Sequence, residues 1–105
     1  MPLNSQQIRA LRAETHRLKL KPVVMIGQQG LSESVMLELE TTLAHHELIK
    51  IKIPALDKEE KSDFIQSICT PLNAELIQHI GHVMVLFRQN PEKKKFHKIL
   101  KAQAD

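Results

Sequence analysis

The chain has 105 residues, 42% hydrophobic, 26% charged and only 3% aromatic, which is typical of one globular domain and leaves little for base recognition by aromatic stacking. Its single cysteine excludes an internal disulfide framework, and no apolar run approaches the roughly 20 residues of a membrane-spanning helix. The net charge of +3 conceals a basic start (+4 over residues 1–31), an acidic middle (−5 over 32–87) and a basic end (+4 over 88–105).

A helix and a strand are predicted for the first quarter of the chain. Asn4 followed by Gln7 has the spacing of a capping box, and apolar residues then recur at near-helical spacing, so residues 5–19 are predicted to be helical. Val23–Ile26 is a continuous apolar run, half of it β-branched, which predicts a buried strand. The loop Gly27–Gly30 follows this strand directly.

Two further helices alternate with a strand in the middle of the chain. Ser32 is a capping residue for a helix that ends at about His46, and Leu48–Ile53 alternates as in a strand with one face in water. Asp57 caps the third predicted helix, which stops near Pro71.

A hairpin completes the predicted domain. Ala74–Ile80 and Val83–Phe87 are two strand-like runs around a Gly-His turn. The order α-β-α-β-α-β-β then predicts a two-layer α/β domain with a four-stranded mixed sheet. We place this domain at residues 1–90 and a basic C-terminal extension at residues 91–105, where a weak apolar pattern fits either a short helix or a frayed end.

The sequence contains no recognisable catalytic or metal-binding constellation. It has no nucleophile elbow, no Walker A loop and no dinucleotide fingerprint, and Cys69 lies on an apolar helical face as a small hydrophobe would. The six histidines lack convergent spacing; His45 and His46, being adjacent, point about 100° apart on a helix. We therefore predict neither an enzyme nor a metal site, cofactor or small-molecule substrate.

The loop Gly27–Gly30 is the one feature with a recognisable mechanism. Its glycines let another backbone approach closely, the following helix start favours an anion, and the two Gln side chains can reach phosphate, sugar or base edges. Taken alone, the loop is better explained as a tight turn. Basic residues nearby change this interpretation, because KH-type modules clamp a nucleic-acid backbone with such a loop, although theirs joins two helices. The candidate RNA-binding residues are Gly27, Gln28, Gln29, Gly30, Arg9, Arg12, Arg17, Lys19, Lys21, Lys50 and Lys52.

Three motifs in order resemble the CRM domain (chloroplast RNA splicing and ribosome maturation), and most of all its free-standing bacterial YhbY-like members. These motifs are Leu20–Val24, Ile26–Ser32 and His45–Lys52, and the likeness covers about residues 3–88. The resemblance implies an RNA-binding module associated with precursors of the large ribosomal subunit. It also implies a fold similar to the C-terminal domain of translation initiation factor three, with helices on one side of the sheet, and an RNA-binding role for the Gly-x-x-Gly loop.

The expected function is therefore RNA binding by a non-catalytic assembly factor, with ribosomal RNA and pre-large-subunit particles as partners and no membrane contact. A cytoplasmic monomer is expected, and the N-terminal sequence lacks the layout of a signal peptide. The alternative is a protein-interaction adaptor whose acidic middle, Glu33 to Glu75, docks a basic partner such as a ribosomal protein. Binding to naked RNA with purified components separates the two.

Overall fold

The computed structural model describes residues 3–27 and 29–104 of the chain. In this part of the chain the helices are α1 (Ser5–Arg17), α2 (Glu33–His46), α3 (Lys58–Leu72) and α4 (His97–Ala102). The strands are β1 (Pro22–Met25), β2 (Leu48–Lys52), β3 (Glu75–Ile80) and β4 (Val83–Phe87). The predicted order of the first seven elements is confirmed, and the C-terminal residues add a short helix.

The strands form one mixed sheet in the order β1-β2-β4-β3. β1 runs parallel to β2, and β4 is antiparallel to both β2 and β3. This confirms the predicted four-stranded mixed sheet. The carboxyl ends of β1 and β2 and the turn between β3 and β4 consequently lie at one end of the sheet, which we call the loop end because the loop Gly27–Gly30 leaves β1 there.

Local capping places the helices close to where the sequence predicts them. Two capping boxes form, Asn4 with Gln7 at α1 and Asp57 with Glu60 at α3. α1 ends at Arg17, two residues before the predicted end, and Lys19 then adopts a left-handed backbone conformation (φ 52°). Asn73 ends α3 in the same conformation (φ 53°), which places the helix end one residue beyond Pro71.

Helices cover both faces of the sheet, which corrects the expectation that they lie on one side. On the face we call the α2–α3 face, the sheet packs against both of those helices through Ile49, Ile51, Met84, Leu86, Leu39, Leu43, Ile68 and Leu72. On the opposite face, the α1–α4 face, the packed residues are Leu48, Ile77, Val85, Phe87, Leu11, Phe96 and Leu100. The reason is that the central strands are apolar on both faces: neighbours such as Leu48 and Ile49 point in opposite directions and are both buried.

β1 is an edge strand, and the prediction that it is buried is wrong for two of its side chains. Val24 is buried, whereas Val23 is 50% and Met25 69% exposed. Both exposed residues alternate with Val24 and therefore point to the α1–α4 face. That face is open to solvent beside β1, so a continuous apolar run does not by itself indicate burial on both sides.

The C-terminal residues are held against the domain by polar and apolar contacts. The buried carboxylate of Glu47 accepts hydrogen bonds from the backbone N–H groups of Asn90 and Lys95, each at 2.7 Å. Phe96 and Leu100 join the apolar cluster that contains Leu11 of α1. The domain boundary at residue 90 stays a prediction, but the basic extension folds back onto the start of α1 as far as Gln103, whose carbonyl oxygen accepts a hydrogen bond from the side chain of Asn4.

Neither a membrane segment nor a metal-ligand cluster is found in the described part of the chain. No helix within residues 3–27 and 29–104 is long and apolar enough to cross a bilayer. The same residues include no group of three or more His, Cys, Asp or Glu side chains placed to hold a metal ion. Cys69 is half-buried on α3, where burial, followed by the charge of Glu75, raises the pKa of its thiol. A raised pKa keeps the thiol protonated and poorly nucleophilic at neutral pH.

Candidate nucleic-acid interface

The loop Gly27–Gly30 connects β1 to α2, and its residues Gly27 and Gln29 are exposed to solvent. The N–H of Gly30 donates to the carbonyl oxygen of Gly27 (3.1 Å), and Gly30 has φ +80°, a conformation that favours glycine. Apart from the adjoining residues of the chain, no atom of the described part lies within 4 Å of the position that a Cβ would take at Gly27 or Gly30. Gln29 is exposed, and the predicted site residue Gln28 lies outside the described residues. The loop glycines therefore leave room for another backbone to approach.

A row of side chains crosses the sheet next to this loop on the α1–α4 face. The strand register pairs Ile80 with Val83, Val83 with Lys52, and Lys52 with Met25. At about 4.8 Å per strand, the row spans roughly 14 Å. Ile80 is 65% and Met25 69% exposed, and Lys52 is exposed as well. The row is thus an accessible apolar strip with a lysine near its middle.

Helix α1 borders this open part of the sheet. The next row on this face, two residues further from the loop end, contains Lys50 and its partner Val85. Val85 is buried in the cluster that contains Leu11 of α1, and Lys50 is half-buried. The guanidinium of Arg12 donates to the carbonyl oxygen of Ile77 on β3 (3.4 Å), which fixes Arg12 at this border. Arg9 lies three residues earlier and so on the same side of the helix.

We call the surface formed by these residues the sheet surface. It consists of the loop residues Gly27, Gln29 and Gly30, of Arg9, Arg12, Lys50 and Lys52, and of the exposed side chains of Val23, Met25 and Ile80. Four of the seven basic residues that the sequence singled out thus lie on this side of the sheet, with Lys52 in the row next to the loop and Arg12 against β3 at the opposite edge. The residues of the sheet surface come from α1, β1, β2 and β3 as well as the loop.

The other three predicted basic residues, Arg17, Lys19 and Lys21, lie away from the loop. Lys21 precedes β1, and six residues of extended chain place it roughly 20 Å from Gly27. Arg17 follows Arg12 by five residues, which is about 140° around the helix. Its guanidinium binds both carboxylate oxygens of Glu14, at 2.7 and 2.8 Å, and this hydrogen bonding lowers the pKa of Glu14. RNA contact by these three residues stays a prediction.

The two sides of the sheet differ in net charge, because acidic residues outnumber basic ones on α2 and α3. The exposed acidic residues of the two helices on the α2–α3 face are Glu33, Glu38, Glu40, Glu59, Glu60 and Asp63. The sheet surface and α4, by contrast, belong to the α1–α4 face and are basic. A polyanion is therefore attracted to one side of the molecule and repelled from the other.

Two charged residues with structural roles were missed by the sequence reasoning. Glu47 holds the C-terminal residues, as described above. Arg88 binds the carboxylate of Glu40 and donates to the carbonyl oxygen of Leu72 (2.9 Å). Their partners lie 16 to 48 positions away along the chain, so no local spacing pattern could reveal these contacts.

Comparison with known proteins identifies the family. Residues 3–88 match the CRS1/YhbY (CRM) domain, and the chain belongs to this family. It is 42% identical over 92 residues to an RNA-binding protein of Haemophilus influenzae, with 88% of this chain and 91% of the relative covered. It is 33% identical over 95 residues to a probable RNA-binding protein of Pseudomonas aeruginosa, with 90% and 89% covered.

A solved structure supports the fold as well. The solution structure of a hypothetical protein from Staphylococcus aureus matches with a TM-score of 0.75 and 29% sequence identity, covering 90% of this chain and 96% of that one. The predicted family and the predicted mixed α/β fold are both confirmed by these similarities.

Proposed function

We propose that the protein binds RNA through the sheet surface and acts, without catalysis, as a cytoplasmic assembly factor for the large ribosomal subunit. The observation that carries the proposal is the position of the open loop Gly27–Gly30 beside an exposed row containing Lys52, bordered by Arg9 and Arg12. Two similar proteins are named as RNA-binding or probable RNA-binding proteins, which supports RNA as the ligand.

In this proposal the phosphate backbone supplies most of the affinity. The loop glycines admit the backbone closely, and the lysines and arginines neutralise phosphates and release counterions. Met25 and Ile80 offer apolar contact to sugars and bases, but the surface has no aromatic ring for stacking. We therefore expect binding that weakens steeply with salt and shows modest sequence preference on short oligonucleotides.

The choice of ribosomal RNA in large-subunit precursors rests on membership of the CRM family, whose resemblance implies that partner. The geometry is compatible with it, because a single open surface bordered by cations fits a single-stranded or exposed RNA segment. We propose that a monomer suffices, since all of these residues come from one chain.

A charge-reversal variant tests the sheet surface. Gln29→Glu with Lys52→Glu changes the net charge by −3 at two exposed positions. The matched control is Lys58→Glu with Gln66→Glu, which makes the same change at exposed positions on α3. Affinity for a large-subunit ribosomal RNA fragment is measured by gel shift over a salt series, and thermal unfolding is followed for each protein.

We expect the sheet variant to lose at least about tenfold in RNA affinity while its melting temperature stays near that of the control. Equal affinities for the sheet variant and the control would refute the assignment of the sheet surface. If the wild-type protein itself failed to bind naked RNA, the adaptor alternative would gain support, because the acidic side of the molecule could then dock a basic protein.

A further inference from the structure

A second basic surface lies beyond α1, where the C-terminal residues fold back. A groove of about 490 Å³ between the last turn of α1 and residues 94–99 is lined by Arg17, Lys94, Lys95 and Lys98, with the apolar side chains of Leu18, Phe96 and Ile99 between them. Glu14 is the acidic residue of this lining, and its carboxylate is already bound to Arg17. We call this feature the C-terminal groove.

The lysines of the groove are presented by a folded backbone. The carbonyl oxygen of Asn90 accepts hydrogen bonds from the N–H groups of Lys93 (3.0 Å) and Lys94 (2.9 Å). Lys95 donates its N–H to the buried carboxylate of Glu47, and Lys94 adopts φ 48°. The backbone of three consecutive lysines is thus folded and held by hydrogen bonds, and their side chains are exposed.

The lysines of this segment act on the end of α2. Burial lowers the pKa of His46, and His45, Lys95 and Lys93 lower it further in that order. Asn90 anchors the segment to the same helix end by donating its side-chain N–H to the carbonyl oxygen of Ala44 (2.8 Å). Like charges carried by one folded segment repel one another, and a bound polyanion would reduce that repulsion.

We propose that the C-terminal groove binds the phosphate backbone of a second RNA segment, so that the protein bridges two segments of one RNA. The inference rests on the proposed function, because an RNA bound at the sheet surface is a polyanion that can also reach the groove. The lining has four cations and one paired carboxylate, so the partner must bring several negative charges. Leu18, 43% exposed, provides an apolar contact for a sugar or base.

Helix α1 and the length of β2 separate the two surfaces. α1 runs between them, with Arg12 on the sheet side and Arg17 about 140° around the helix on the groove side. Glu47, which holds Lys95, precedes β2, whereas the loop Gly27–Gly30 lies beyond the other end of the parallel strands. The length of β2 alone separates these ends by roughly 13 Å. An RNA that contacts both surfaces must therefore pass around α1, about 10 Å across, and extend beyond the four nucleotides that a Gly-x-x-Gly loop clamps.

Two RNAs and two matched variants test this proposal. Lys94→Gln with Lys98→Gln removes two charges from the groove, and the control Lys58→Gln with Lys61→Gln removes two from α3. Each protein is titrated with an oligonucleotide of about four nucleotides, the length that a Gly-x-x-Gly loop clamps, and with a long ribosomal RNA fragment. Both titrations are repeated over a salt series.

For the groove variant we expect about tenfold weaker binding of the long fragment and unchanged binding of the short oligonucleotide. The slope of log affinity against log salt concentration should be smaller by about 1.4 if two single-strand phosphate contacts are lost. Wild-type affinity and slope with the long fragment would overturn the proposal. Loss of polyglutamate binding by the groove variant, with RNA binding intact, would also overturn it and would assign the groove to an acidic protein segment.

The same data separate this inference from the proposed function. If Gln29→Glu with Lys52→Glu left both RNAs bound as tightly as wild type while the groove variant still weakened the long fragment, the sheet surface would fail and the groove would stand. If instead only the sheet variant weakened binding, the proposed function would stand and the second surface would fail.

Discussion

Replacement of Glu47 by Gln tests whether one buried carboxylate holds the C-terminal residues in place. Glu47 is 0% exposed, and its two carboxylate oxygens accept the N–H groups of Asn90 and Lys95 at 2.7 Å each. Its backbone, at φ 65° and ψ −48°, lies in a region that non-glycine residues adopt only when their surroundings impose it. Gln retains one acceptor oxygen but turns an NH₂ group toward the other backbone N–H, so two donors face each other.

The expected cost follows from that single lost contact. A hydrogen bond to a charged group contributes about 1.5–3 kcal/mol, and a buried donor without a partner costs about 1–3 kcal/mol. These two ranges describe the same loss, so we expect Glu47→Gln to lower the free energy of unfolding by about 2–3 kcal/mol. For a domain of this size, such a loss lowers the melting temperature by roughly 10–20 °C.

Urea and thermal unfolding measure the loss, and hydrogen exchange at the Asn90 and Lys95 amides locates it. Glu40→Gln is the control, because it also removes a carboxylate, but one that is 48% exposed and bound to Arg88 at the surface. Its expected cost is below about 1 kcal/mol. A free energy of unfolding within about 0.5 kcal/mol of wild type for Glu47→Gln, with both amides still protected, would refute the reasoning.

Three smaller perturbations test the packing and the loop. Burial and then the charge of Lys61 hold the pKa of His79 below 6.5, so the unfolded chain binds the proton more tightly than the folded protein does. The contribution of this group to stability is therefore complete above about pH 6.5 and is lost at lower pH, and His79→Gln should reduce the loss measured by thermal unfolding. Because burial raises the pKa of the Cys69 thiol, iodoacetamide should react more slowly with the folded protein than with the urea-unfolded chain. Gly30→Ala should cost about 1 kcal/mol in urea unfolding because of its φ of +80°, whereas Gly27→Ala should leave stability unchanged.

The helices and strands could be predicted from the sequence because the contacts that begin and end them join residues a few positions apart. The Asn4 and Gln7 spacing reflects a reciprocal pair of hydrogen bonds, at 2.7 and 2.9 Å, that needs no tertiary contact. The Gly-His turn between the last two strands similarly follows from a glycine with φ 56°. The Gly-x-x-Gly loop was found in the same way, from a short motif between a strand and a helix.

The tertiary placement of these elements could not be predicted from the same signals. Leu11 and Leu100 share a cluster although 89 positions separate them, and nothing in either helix specifies which face of the sheet they cover. Equally, the apolar run Val23–Ile26 does not reveal that β1 is an edge strand with Met25 in water. The sequence also does not show that Arg12 and Arg17 lie on different surfaces, Arg12 at the open sheet and Arg17 beside the groove.

The fold places the acidic middle of the chain on one side of the sheet and its two basic ends on the other. The acidic middle supplies α2 and α3, which pack together on one face of the sheet, whereas the two basic ends supply α1 and α4, which pack on the other. Because both termini fold onto the same face, their charges add there instead of cancelling against the middle. A phosphate backbone would then approach with one preferred orientation, from the α1–α4 side, before any specific contact forms. α1 divides that side into the sheet surface and the C-terminal groove. An RNA that binds both surfaces must therefore pass across or around α1.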